Sequence, residues 1–414
     1  MNQPPVVMLL GAFDTKGAEY AYARARLIEA GVGVLSVDFG VHPPKADFPV
    51  DLGADEVAAA AGEDLQQLRS AGDRGRAMHA MSRGVAAIAA RLFQEGRIDA
   101  VFGMGGSGGT SVITAAMRAL PLGVPKVCLS TVAGGDTAPY VAQKDIVLYP
   151  SIADIAGLNR ITRRGIQGAA AAVAGMAQRP ASVAAEDRPV ITASMFGNTT
   201  ECVDRCRAEL ERDGYEVLVF HATGAGGKAM ESLIDEGLVD ASLDLTTTEL
   251  ADTLCGGVFD AGPARLTAAG RRGIPQVVAP GCVDMVNFGP PDTVPERYRT
   301  ADRLLYEWNP SVTLMRTTPD ENSQLGRMIA ERLNAAAGPT AVILPLRGYS
   351  ILGAPGGAFH NPEAEEALAA ALRAELAPRV RLVEVDAAIN APEFAEAAVA
   401  LLRETIASHE KATP

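Results

Sequence analysis

Aromatic residues are scarce, at 5% of the 414 positions with a single Trp. The cores must therefore be built from Ala, Val, Leu and Ile, small side chains that suit close, layered α/β packing. Positive charge is also short: 37 Lys and Arg face 50 Asp and Glu, a formal net charge of −13. This argues against a general nucleic-acid surface, which needs cations to displace counterions. A local basic pocket for one small anion remains compatible with it. The five cysteines (Cys128, Cys202, Cys206, Cys255, Cys282) are odd in number and lack zinc-ribbon spacing, so they read as reduced thiols of a cytoplasmic protein. Cys202 and Cys206, one helical turn apart, have two readings: a shared metal, or two small apolar residues on a buried helix face. No signal-peptide pattern precedes the strand-like run after Pro5. The longest small-apolar stretch, Gly168–Ala177, is too short to span a bilayer. Neither a membrane nor a nucleic-acid partner is expected.

What is abundant is alternation. Apolar runs at Val6–Leu10, Gly33–Asp38, Asp99–Met104, Pro125–Thr131 and Ile146–Leu148 read as strands. Helical periodicity lies between and after them, at Lys16–Ala30, Gly75–Gln94, Thr110–Arg118 and Asp154–Met176. Near-continuous apolar strands separated by helices predict a parallel sheet covered on both faces. The stretch 179–189 loses all period and carries two prolines, the composition of a linker. Beyond it the alternation resumes, with strands at Val190–Met195, Glu216–His221, Asp240–Asp244, Gln276–Ala279, Val312–Arg316, Ala341–Pro345 and Val380–Val385. Helices at Pro362–Glu375 and Pro392–Ile406 close the chain, each with proline in its first turn. The halves also rhyme: Gly96–Ala100 and Gly123–Val127 have counterparts in Gly237–Ala241 and Gly273–Val277. The fold class that follows is α/β, with two Rossmann-like domains: residues 1–178, nucleotide-binding, and residues 190–414. Each is a mainly parallel sheet with helices on both faces, and a site is expected in the cleft between them.

The strongest local signal is Gly103–Ser111, with five glycines among its first seven residues, placed between a strand and a helix. Such a loop lets backbone N–H groups curl around an anion, and the helix start adds its dipole. Gly105, Gly106, Ser107, Gly108, Gly109 and Thr110 are its phosphate-binding candidates. It is neither a Walker A loop nor a Rossmann fingerprint. It is closer to the GG-acid-GT loops of sugar and lipid kinases, with Ser107 where those place an acid. In the loop Gly11–Gly17, after the first strand, Asp14 suits a ribose or metal-bound water, and Thr15 and Lys16 suit phosphate; a capped helix with a solvated Lys16 is an equal reading. In the loop Ser130–Asp136, Ser130 and Thr131 add hydroxyls. Asp136 there is either a Mg²⁺ partner or a turn residue, and no metal site is assigned. These three loops are expected to line one site. A second glycine-rich loop, His221–Glu231, offers Thr223, Gly226, Gly227 and Lys228 as an anion seat. His221 is a possible general base, although a structural histidine is the commoner case. Residues 347–361 form a long Gly/Pro loop expected to act as a lid or specificity loop, with Arg347 and Ser350 on anions. Catalytic candidates are Asp14, Lys16, Asp136, His221 and Lys228.

Several stretches together resemble the ATP-binding domain family of the tomato tobamovirus-resistance protein and its uncharacterised bacterial relatives. They are Gly11–Gly17, Gly105–Thr110, Val124–Asp136, Asp154–Arg160, His221–Glu231 and Ala354–Phe359, and they span nearly the whole chain. The resemblance implies two Rossmann-like domains, nucleotide contact by Gly105–Thr110, and self-association as dimers. The plant protein binds a viral protein through the related domain, a property nothing in this sequence supports. It also carries a further domain resembling a phosphoenolpyruvate-utilising barrel, which here would have to be a separate partner chain. Ala12 departs from the Thr expected there. The combined expectation is an ATP-binding protein of small-molecule metabolism, with Mg²⁺ possible and a second, unknown small-molecule ligand. If it is an enzyme, phosphoryl or acyl-phosphate transfer is the expected chemistry. The alternatives are a non-catalytic nucleotide-responsive scaffold and, least favoured, a nicotinamide-dependent dehydrogenase.

Overall fold

The computed structural model describes residues 3–179 and 188–412. The chain divides into two compact units, Met1–Ala184 and Ala185–Pro414; most of the predicted linker 179–189 lies outside the described residues.

The N-terminal unit runs β1 (Val6–Gly11), α1 (Phe13–Glu29), β2 (Gly33–Asp38), α2 (Ala54–Ala60), α3 (Leu65–Ala71), α4 (Arg74–Gln94), β3 (Ala100–Gly105), α5 (Ser107–Arg118), β4 (Lys126–Ser130), α6 (Ala138–Val141), β5 (Val147–Pro150) and α7 (Arg160–Gln178). Its five strands are parallel, in the order β2-β1-β3-β4-β5. Met8, Leu10, Val101 and Cys128 face a core capped by α2–α5, while Val7, Leu9, Phe102 and Leu129 face α1 and α7. The continuous apolar runs thus reflect a sheet buried on both sides.

The strand order reverses between β1 and β3, and there Tyr20 of α1 fills the opening between the strands. Its fully buried hydroxyl meets the carbonyls of Leu10 (2.9 Å) and Met104 (2.7 Å) and accepts the Met104 N–H. A Cβ on Gly11 would stand 2.1 Å from the ring, so this position excludes any side chain.

The C-terminal unit runs β6 (Val190–Met195), α8 (Thr200–Arg212), β7 (Glu216–His221), α9 (Ala225–Asp235), β8 (Ala241–Thr246), α10 (Glu249–Cys255), α11 (Ala268–Arg272), β9 (Gln276–Gly281), β10 (Met285–Phe288), β11 (Leu305–Asn309), β12 (Val312–Arg316), α12 (Pro319–Asn334), β13 (Thr340–Pro345), α13 (Pro362–Glu375), β14 (Arg381–Val385) and α14 (Pro392–Ala412). Six strands form a parallel sheet ordered β14-β13-β9-β8-β6-β7. Its first strands repeat the reversal of the N-terminal unit, with β6 flanked by β7 and β8 as β1 is by β2 and β3.

The structure corrects three expectations and agrees with the reading of the cysteines as reduced, buried residues. Val312–Arg316 joins an antiparallel sheet, β10-β12-β11, rather than the parallel one. The helix expected from Asp154 starts at Arg160, because Gly157 takes φ +81° and Asn159 caps the helix through the N–H groups of Ile161 and Thr162. Residues 347–361 are tied down: buried Ser350 donates to Asp284 (2.6 Å), Arg316 donates to Phe359 O (2.7 Å), and Tyr349 donates to Glu365 O (2.9 Å). Arg347 is spent on Asp386. The five cysteines are buried and unpaired, and Cys202 and Cys206 pack on the inner face of α8.

Candidate functional site

Ligands of open parallel sheets sit beyond the carboxyl ends of the strands where the order reverses. In the N-terminal unit a cleft of about 630 Å³ opens there. Its floor is the β1–α1 connection (Ala12, Asp14, Thr15, Lys16) and the β3–α5 connection (Gly105–Gly109). Its walls come from the segment after β2 and from α3 and α4.

The glycine run is shorter as a loop than the sequence suggests. Gly106 is the N-cap of α5, and Ser107, Gly108 and Gly109 form its first turn. The N–H groups of that turn have no acceptor within the helix, whereas Thr110 N bonds back to Gly106 O at 2.8 Å. The turn therefore presents three consecutive backbone donors at the positive end of a 12-residue helix. The glycines differ in what they permit. A Cβ on Gly105 would crowd the backbone of Gly109 at 3.0 Å, one on Gly108 would meet Met78 at 3.3 Å, and one on Gly109 would meet only Met104 O at 3.9 Å.

Opposite, α1 also begins at the cleft, with Lys16 outside helical geometry (φ −126°, ψ 32°). Lys16 Nζ donates to Ile155 O, and Thr15 caps back onto Ala12 O at 3.3 Å. Asp14 is 5% exposed. One of its carboxylate oxygens accepts the His42 N–H at 3.1 Å, and the other has no donor among the described residues. Behind it, Asp38 accepts the N–H groups of Phe13 and Gly40. Burial lifts Asp38 from 3.8 to about 6 against those two donors, and the Asp14 charge adds to the rise.

Thr110 and Ser130 are fully buried and bond to each other at 2.7 Å, so their hydroxyls brace the β3–α5 and β4 ends. Ser130, Thr131, Ser151, Ile152 and Ala153 line a second hollow of about 470 Å³ that shares Asp154 with the first. Asp136 belongs to neither; it is exposed and accepts the Ala138 N–H at 3.1 Å, closing a turn. Among the described residues no group of three or more His, Cys, Asp or Glu is placed to hold a metal ion.

The second glycine-rich loop already holds an anion, the protein's own Glu249. That fully buried carboxylate accepts the N–H groups of Gly224 (2.7 Å) and Gly227 (3.1 Å) while pairing with Arg265. A Cβ on Gly227 would fall 2.2 Å from it. Arg265 also pairs with Asp244 and Glu231, so one buried guanidinium anchors three carboxylates. Thr223 bonds to His221 O, Gly226 lies against the same carbonyl, and His221 and Lys228 are exposed, the histidine ring 5.5 Å from Phe196.

Several cleft residues carried no recognised signal in the sequence: His42, Arg69, Asp73, Arg74, Met78 and Met81. His42 reaches the site on the segment after β2, and the others only because α3 and α4 fold back over it. The one available hint was Asp73, whose side chain accepts the Arg76 N–H and sets the start of α4 beside the glycine turn.

A UPF0261 protein of Clostridium tetani is 45% identical over 406 residues, covering 98% of this chain and 99% of its own. One from Rhizobium meliloti is 46% identical over 400 residues, covering 96% and 98%. The ToMV resistance protein Tm-1(GCR237) of Solanum lycopersicum is 41% identical over 333 residues, 79% of this chain but 44% of that protein. Among solved structures, the UDP-GlcNAc 2-epimerase of Neisseria meningitidis aligns with 66% of this chain and 82% of its own at 9% identity; its TM-score of 0.21 carries no argument. Models of the uncharacterised protein family UPF0261 match as an N-terminal domain at residues 5–182 and a C-terminal domain at 188–406. With both domains matched in tandem and full-length relatives at this identity, the chain belongs to the UPF0261 family.

Proposed function

We propose that the protein binds a nucleotide, with ATP the first choice, in the cleft of its N-terminal unit, the phosphates resting on the first turn of α5. The observation that carries this reading is the row of three backbone donors at Ser107, Gly108 and Gly109, opening on a cleft of about 630 Å³. That volume lies in the range of small-molecule sites. Phe39, Leu68, Met78 and Met81 supply an apolar wall for a base, and the unpartnered oxygen of Asp14 suits a ligand hydroxyl. Mg²⁺ would arrive on the phosphates, since hard carboxylates plus phosphate oxygens suit that ion; Asp14 and Asp154 are the carboxylates of this cleft that would receive it. The hollow beside Thr131 provides room for a second small ligand.

Calorimetric titration with ATP, with and without Mg²⁺ and alongside NADH, tests the proposal. Saturable ATP binding supports it, and binding of NADH alone transfers the cleft to redox chemistry. Turnover of bound ATP across a substrate panel then separates an enzyme from a nucleotide-responsive scaffold.

A further inference from the structure

Arg74 opens α4, and its guanidinium comes within 3.7 Å of where a Gly108 side chain would begin. It is exposed, lines the same cleft and has no hydrogen bond or ion pair among the described residues. A cation belongs at a helix C-terminus, yet here it stands over the positive end of α5 and its unused N–H groups. Other cleft cations are engaged, Lys16 on Ile155 O and Arg69 on Val41 O. The acids of the cleft are Asp14, Asp73 and Asp154; Asp73 caps its own helix, and Asp14 takes the His42 N–H. A multiply charged anion lying between the guanidinium and the helix end would satisfy both at once. The near-fully buried Asp14 oxygen without a donor marks the same cleft as unfinished without a ligand.

We propose that Arg74 is an anion-clamping residue that closes on the terminal phosphate from the side opposite the α5 turn, so that the phosphate is gripped between two independent elements. This rests on the assignment of the cleft as a phosphate site. The planar fork of arginine gives two parallel donors to a phosphate, which lysine cannot reproduce. Because the clamp sits on α4 and the seat on α5, a bound polyanion also ties these two helices together at their N-terminal ends.

The test uses the full chain, with Arg74→Ala, Arg74→Lys and the control Arg76→Ala, whose guanidinium pairs with Glu63 away from the cleft. Melting temperature is read alone, with pyrophosphate and with ATP, and affinities by calorimetry. Without ligand, R74A is expected to melt at or slightly above wild type, by about 1 °C, since it removes a cation opposed to the helix dipole. Its affinity for pyrophosphate and ATP is expected to fall about 10- to 100-fold, R74K recovering part and R76A unchanged. Pyrophosphate affinity in R74A within twofold of wild type overturns the clamp while leaving the phosphate seat standing. Pyrophosphate binding that depends on Arg74 without ATP binding upholds the clamp and removes the nucleotide. Wild type that binds neither overturns both.

Discussion

Alanine placed in turn at Gly105, Gly106 and Gly109 separates what the fold requires from what a ligand requires. At Gly109, the third residue of α5, the new methyl meets nothing closer than Met104 O at 3.9 Å, and φ is not positive. The substitution then relieves glycine's backbone entropy cost, about 0.5–1 kcal/mol in a helix, or a rise of about 1–3 °C in melting temperature for a unit of this size. At Gly106, the N-cap, the methyl touches only Thr131 at 3.7 Å, and the weaker cap costs up to about 1 kcal/mol. At Gly105 the methyl presses on backbone at 3.0–3.3 Å, a strain of about 1–3 kcal/mol. If the α5 turn seats a phosphate, G109A and G106A also intrude on it. Losing a charge-assisted contact costs about 1.5–3 kcal/mol, one to two powers of ten in Kd. Differential scanning calorimetry with ATP titration reads both quantities. G109A that is more stable than wild type and binds ATP 10-fold more weakly meets the expectation. G109A that binds ATP within twofold of wild type refutes the assignment of these glycines to a ligand.

Three further outcomes are expected. Arg265→Met strands Asp244, Glu249 and Glu231 without their cation and should cost about 3–5 kcal/mol in urea unfolding; a loss below about 1 kcal/mol would refute the cluster as a support of the fold. Tyr20→Phe removes the hydroxyl joining β1 to β3 and should cost about 1–3 kcal/mol, with unchanged stability contradicting the bond. Burial lifts Glu365 from 4.5 to about 7, Arg316 and His360 opposing and Asp284 adding. The folded chain then holds a proton that the unfolded chain releases, so this contribution is full below about pH 4.5 and lost as pH rises towards 7. Glu365→Gln should flatten that slope in urea titrations between pH 5 and 8, and parallel slopes for variant and wild type would exclude Glu365 as its source.

The parallel sheets were legible because buried strands announce themselves as apolar runs such as Val6–Leu10, which Gly11 ends, and Ala341–Pro345. The glycine turn was legible too, although the helix beginning three residues earlier than its apolar periodicity was not: Ser107, Gly108 and Gly109 are poor helix formers held by their cap and their neighbours. Arg74 and Met78 could not be assigned, because a charged or apolar helix residue carries no mark of which cleft α4 will overhang. Glu249 was equally silent. Local motifs describe what a glycine loop offers, not which distant carboxylate will take the offer. The antiparallel sheet escaped because β11 is short and mostly exposed, with Tyr306, Glu307 and Trp308 in succession obscuring a period of two.

The carboxylate of Glu249 gives the C-terminal unit the character of a receptor sold with its own stopper. Truncating that side chain to alanine would leave a carboxylate-shaped recess framed by Gly224, Gly227 and Arg265. The unit's melting temperature would then depend on the buffer, rising with formate or acetate and indifferent to chloride at equal ionic strength. A residue serving only as filler would give no such anion preference.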